Sequence, residues 1–291
     1  MGSKAAAIAL ALLAGRAFAQ APDVTIKLDA RLNYRSAEND ATTQRLYDSL
    51  GEFSIVSIAF KLEPGFRVFA SQKLQRFDGG RDPEFLDEYY IEDEGIWRVG
   101  KQRLPFGSGR LVRESAIAAR GDTNLILEGL PIAAAYVQGG SGRQKGAVAR
   151  IGGRLGVSLF YGDHFGIEGA SVALIRKPED AFGSGRGYRN AFGVDYSKGI
   201  GDFNLAVEAV AYRSPNTDLD KPFDILDFRA LYTPSKYHNY FVGWTRRTNP
   251  TVDMWRIGAS VFLTRNVYLE PLVRYRNGEI FDFNVAIRVK L

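Results

Sequence analysis

The chain has no cysteine and only two histidines among its 291 residues. The first absence excludes a disulfide framework and any thiolate metal site. The second leaves no His-based metal spacing. A hydrolytic centre would have to be built on His164, in YGDHFG beside Asp163, or on His238, because a nucleophile or activated water needs a base in reach. A lone loop histidine beside an aspartate is more often incidental than catalytic. The chain therefore reads as a non-enzyme, and no cofactor is expected. Long apolar runs are also missing. Beyond the N-terminus nothing approaches the about 20 apolar residues of a membrane-crossing helix. Charge of one sign is scarce too: 38 Lys and Arg face 33 Asp and Glu, a net +5. That is too mild to argue for a nucleic-acid partner.

What is present begins with a leader. Residues 1–19, MGSKAAAIALALLAGRAFA, carry Lys4, a short apolar run and an Ala17-Phe18-Ala19 cleavage pattern. They read as a signal peptide, leaving 20–291 as the mature chain. Loss of Lys4 and Arg16 lowers the net charge to +3. Then comes alternation. In VTIKLDARLNY, Val24, Ile26, Leu28, Ala30, Leu32 and Tyr34 share one face, and Thr25, Lys27, Asp29, Arg31 and Asn33 the other. A period of two is a β-strand. One such strand fits a soluble sheet as well as a membrane barrel. The repetition to the end of the chain does not, because without spanning helices only a closed barrel satisfies the backbone inside lipid.

The pattern predicts an all-β, antiparallel up-and-down transmembrane barrel of 14 strands. Weaker segments at 132–138 and 169–176 allow an alternative of 16. Short turns (KGIGD, TPSK, LTRN) alternate with mostly longer connections (SPNTDLDKP, RTNPT, RNGE), the outer-membrane arrangement of short periplasmic turns and long extracellular loops. Apolar-face aromatics near strand ends read as two interfacial girdles: Trp97, Tyr196 and Phe203 on one side, Tyr161, Tyr188, Tyr275 and Phe281 on the other. The opposite faces should line a lumen with Arg31, Lys61, Lys73, Arg98, Arg150, Arg229, Arg256, Arg274 and Arg288. Asp29, Glu88, Glu92, Asp195, Glu208, Asp227, Glu270 and Asp282 are the acids among them. Bases outnumber acids on this face, which predicts a preference for anions, reduced by any pairing across strands.

Residues 97–107 read WRVGKQRLPFG. With Gly100, Lys101, Pro105, Phe106 and Gly107 the chain resembles the Gram-negative outer-membrane porin superfamily, most closely the phosphate-selective porin O/P type. The stretch GRQKGAVARIGG is similar to that family as well. The final residue, Leu291, departs from the usual terminal phenylalanine, and the family's arginine ladder and lysine clusters have no residue-by-residue match. Phosphate selectivity is therefore not implied. The resemblance implies a passive porin for small hydrophilic or anionic solutes. Its surroundings would be outer-membrane lipid and lipopolysaccharide, with insertion by the barrel-assembly machinery through the C-terminal strand and a possible homotrimer. It also implies a loop folded into the barrel. The segment 104–131 is long for a connection and reads as that constriction loop, offering Arg110, Arg113, Glu114, Arg120, Asp122 and Glu128. Two rivals remain: an outer-membrane hydrolase acting on lipid or peptide, and a plugged structural or adhesive barrel.

Overall fold

The alternating segments become strands. The computed structural model describes residues 23–35, 54–74, 86–112, 115–125, 130–139, 145–165, 187–216, 221–249 and 251–291. The leader 1–19 and the weak strand candidate 169–176 lie outside them. The described strands are β1 (Asp23–Arg35), β2 (Ile55–Glu63), β3 (Phe66–Lys73), β4 (Leu86–Asp93), β5 (Trp97–Arg103), β6 (Ser115–Leu125), β7 (Leu130–Gly139) and β8 (Lys145–Ile151). They continue as β9 (Leu155–Phe165), β10 (Tyr188–Ile200), β11 (Phe203–Pro215), β12 (Phe223–Ser235), β13 (His238–Arg247), β14 (Val252–Thr264), β15 (Val267–Arg276) and β16 (Glu279–Lys290). Each pairs antiparallel with its neighbour in sequence, and β16 closes on β1. Leu32 faces Ile287 and Asp29 faces Lys290 across the seam. Two backbone bonds between Leu28 and Leu291, of 3.0 and 2.9 Å, finish it.

The structure corrects the preferred strand count from 14 to 16. The added pair is β6 and β7, and β6 lies inside the segment expected to be one long loop. Arg98 pairs with Arg120 and Gln102 with Ala116 across β5 and β6, and Arg120 with Ala135 across β6 and β7. Alternation fails as a signal over 116–119 because both faces are apolar there. Ile117 and Ala119 point outward while Ala116 and Ala118 are buried inside.

Faces are inverted relative to a soluble protein. On β9 the outward Leu155, Val157, Leu159 and Tyr161 are exposed, and the inward Gly156, Ser158 and Phe160 are buried. Both described termini lie at one end, called here the terminal end. There the turns are short, as at 64–65, 201–202, 236–237 and 265–266. At this end the outward rings of Phe203 and Tyr232 stack at 4.7 Å, and Phe66 meets Trp97 at 6.0 Å. Toward the far end Trp244 and Trp255 lie 6.2 Å apart, and beyond them sit the outward ion pairs Arg213–Asp224 and Arg246–Asp253. On β14 the apolar face runs from Trp255 to Leu263. That is about 27 Å of strand, or roughly 20 Å once tilted by about 40°, close to the height of a lipid-facing belt. Tyr188 does not join the far girdle. It turns inward, fully buried, and its hydroxyl donates to the Lys221 carbonyl at 3.0 Å. The Phe281 side chain lies outside the described set.

The interior is packed. Leu104, Phe106, Leu111 and Val112 form one buried cluster with inward residues of β6 to β14, among them Val137, Phe160, Tyr212 and Ile225. Inward charges meet across strands instead of facing water. Arg274 and Asp282, 1% and 2% exposed, form a two-pronged ion pair between β15 and β16. Breaking a buried pair costs about 3–5 kcal/mol. Arg274→Ala is thus expected to lower the temperature at which the folded gel band converts to the unfolded one. The double change Arg274→Leu, Asp282→Leu should recover most of the loss. Equal melting of Arg274→Ala and the unaltered protein would contradict the burial of the pair.

Candidate functional site: the barrel lumen

The chain leaves β5 through Pro105 and turns into the barrel. Residues 104–112 form a strap across the inner wall. Phe106 is 1% exposed and rests on Gly193, where an added Cβ would come within 2.8 Å of the ring. Its ring is 4.9 Å from that of Phe165. Only glycine in β10 leaves that slot. The Gly107 amide donates to Ser158 Oγ at 2.9 Å. At φ +60° Gly107 also lies against Glu208, and a Cβ there would overlap its Oε1 at 1.9 Å. Glu208 accepts the Ser108 hydroxyl and, at 3.3 Å, the Leu111 amide. The strap is therefore held on β9, β10 and β11, well around the wall from the strand it leaves.

Glu208 sits in an acidic row. It faces Asp195 across β10 and β11 and Asp227 across β11 and β12. Like charges directly opposite one another are destabilising, and the flanking two are neutralised. Arg150 grips Asp195 through Nε at 3.1 Å and Nη2 at 2.6 Å. Arg256 and Thr245 both donate to Asp227. Among the described residues no cation stands within ion-pair range of Glu208. Its Oε2 accepts both bonds from the strap and its Oε1 lies against Gly107, so the strap and the middle of the row require each other.

The expected lumen residues sort by pairing. Arg31 bonds Asp29 and Glu270, each at 3.3 Å. Arg288 joins the same two acids at 2.6 and 3.0 Å. Arg98 meets Glu92 at 2.6 Å, and Arg67 shares that carboxylate. Arg150, Arg256 and Arg274 are paired as described above. Arg229 stacks over Phe241 at 5.0 Å. The Lys73 side chain lies outside the described set. Six of the nine cations expected to line the lumen thus spend their charge on carboxylates. Lys61, together with the inward Lys27 and Lys290, is exposed and makes no ion pair among the described residues.

The expected constriction set divides too. Arg110 belongs to the strap, its Nε donating to Ser108 Oγ at 3.1 Å. Arg120 and Asp122 do not sit on a loop. They occupy β6 near the terminal end and pair with each other at 2.7 Å. Arg113, Glu114 and Glu128 lie outside the described residues. The histidines are at opposite ends of the barrel: His164 closes β9, its amide donating to Asn216 Oδ1 at 3.1 Å, and His238 opens β13. No metal-holding cluster occurs among the described residues. Sequence reasoning placed Glu208 among the lumen acids without its role. The signal for the strap's seat was Gly193, a glycine interrupting a strand pattern.

No family model matches the chain, and no curated protein is similar to it in sequence. Solved structures are similar in fold. OmpT, an outer membrane protein of Vibrio cholerae, superposes with a TM-score of 0.62 at 11% identity, over 94% of this chain and 99% of its own. OmpF of Salmonella typhi does so with 0.57 at 11%, over 92% and 97%. An anion-selective porin from Comamonas acidovorans does so with 0.55 at 11%, over 93% and 98%. The likeness is one of fold, a closed antiparallel barrel shared with these outer-membrane and porin structures.

Removing Glu208's carboxylate should free the strap while the barrel stays closed. In Glu208→Ala, trypsin is expected to cut after Arg110 in folded, detergent-solubilised protein at least about tenfold faster than in the unaltered protein, since local opening is governed by its free energy. An unchanged rate would mean that Glu208 does not hold the strap.

Proposed function

We propose that the chain is an outer-membrane channel through which small hydrophilic solutes diffuse passively. The observation that carries this is the closed barrel of 16 strands with an apolar outer face and charged residues within, similar in fold to porins. Solute choice is set by the width left beside the strap and by the charge of the wall. The inward strap carrying Pro105, Phe106 and Gly107 supports the narrower likeness to phosphate-selective O/P porins. The reading includes export by the leader 1–19, insertion through β16 by the assembly machinery, contact with lipid and lipopolysaccharide, and association as a homotrimer.

The channel prefers anions, and its preference is assigned to the lysines. Paired arginines contribute little net field, whereas Lys27, Lys61 and Lys290 stand near the terminal end without ion partners among the described residues. A field of this kind is focused by low-dielectric walls and screened by salt. In a planar bilayer with a potassium chloride gradient, the reversal potential should show chloride preferred, more so in dilute salt. Lys27→Glu, Lys61→Glu and Lys290→Glu together should shift it toward potassium. A cation-selective unaltered channel would overturn the assignment. A second reading, a plugged barrel, is favoured by the apolar cluster inside the lumen. It would show as a folded protein that inserts and carries no current.

A further inference from the structure

At the terminal end the inward ends of β1, β2 and β3 and the turn at 94–96 enclose an open cleft of about 170 Å³. Its walls are charged with both signs. Asp23 faces Lys61 across β1 and β2, and Lys61 faces Arg67 across β2 and β3. Glu94 closes the far side, its amide donating to the Gly65 carbonyl at 2.7 Å. Opposite charges on facing strands ordinarily attract each other. Here neither Asp23 nor Lys61 makes an ion pair among the described residues, while Arg67 turns its Nε to Glu92. Behind them Ala59 separates Thr25 from Phe69 in the next row, and this small side chain leaves the space open.

A solute of one sign entering this cleft meets attraction from one wall and repulsion from the other. A solute carrying both signs satisfies both walls. Size is bounded as well, since a cavity of about 150 Å³ takes a benzene-sized molecule. We infer that the cleft is a weak binding site for small zwitterions, the class of α-amino acids with short side chains. The ammonium lies against Asp23 and Glu94 and the carboxylate against Lys61 and Arg67, with the Thr25 hydroxyl as a further polar contact. The site gathers such solutes at one mouth of the lumen. It deepens the channel reading by naming a solute class and rests on that reading for its part in transport.

Binding is tested apart from conduction. Saturation-transfer NMR on the detergent-solubilised barrel is recorded with L-serine, acetate and ethylamine in separate titrations. L-serine should saturate at millimolar concentration, and acetate and ethylamine should each bind at least about threefold more weakly. Asp23→Asn and Lys61→Gln should each weaken L-serine about two- to fivefold, the range expected for one exposed charge pair. Both variants are first checked for the folded gel band. If Asp23→Asn fails to fold, Glu94→Gln replaces it with the same expectation. Equal binding of the three probes, no binding of L-serine, or folded variants that bind L-serine unchanged would each overturn the site. A barrel that binds L-serine but carries no current would leave the site standing and remove the channel reading.

Discussion

Closure of the backbone hydrogen-bond ladder is the constraint on which the rest of this protein depends. A strand in hydrocarbon has no water to meet its amides and carbonyls, so each must pair with a neighbour, and the last strand must pair with the first. The β1–β16 seam, ending at Leu28 and Leu291, supplies that final pairing. Once the sheet is closed, every strand has one face outside and one inside. The period of two then sorts the whole sequence into a lipid face and a lumen face.

The lumen face carries the harder physical problem. Charges brought together inside a narrow barrel lose water and must find one another. Glu270 and Asp29 draw in both Arg31 and Arg288, and Asp195 and Asp227 each take an arginine from two strands away. Glu208, between two other acids, has the strap instead. The same strap joins a buried apolar cluster that runs along the inner faces of β6 to β12 and reaches Val252 on β14, so that part of the interior is a conventional packed core. This barrel is therefore filled on one side, and among the described residues the inward lysines without an ion pair, Lys27, Lys61 and Lys290, stand exposed near the terminal end.

That division bears on the proposed transport. An inner wall whose arginines are tied to carboxylates is rigid and electrically quiet. Lys61, beside Asp23 and Glu94 and without an ion pair among the described residues, is neither. In the channel proposed above, selectivity depends less on how many basic residues face inward than on which of them lack a partner. Replacing Arg31 or Arg256 breaks an ion pair, whereas replacing Lys61 changes the field.

The amino-acid sequence by itself determined the barrel class and the outward and inward faces of most strands. These are local: alternation, turn residues and the absence of spanning helices are all visible over a few residues. It misled at β6, because Ala116 and Ala118 face the buried apolar cluster, and the stretch 116–119, apolar on both sides, shows no alternation. It misled at Tyr188 for a related reason, since a register shift beside Asn190 turns that side chain inward. Only the tertiary structure decided which arginine meets which carboxylate, that Glu208 holds the strap, and that Lys61 and Asp23 stand side by side without an ion pair among the described residues. Those facts depend on register between strands as distant in sequence as β1 and β16, and register is set by the closure of the sheet as a whole.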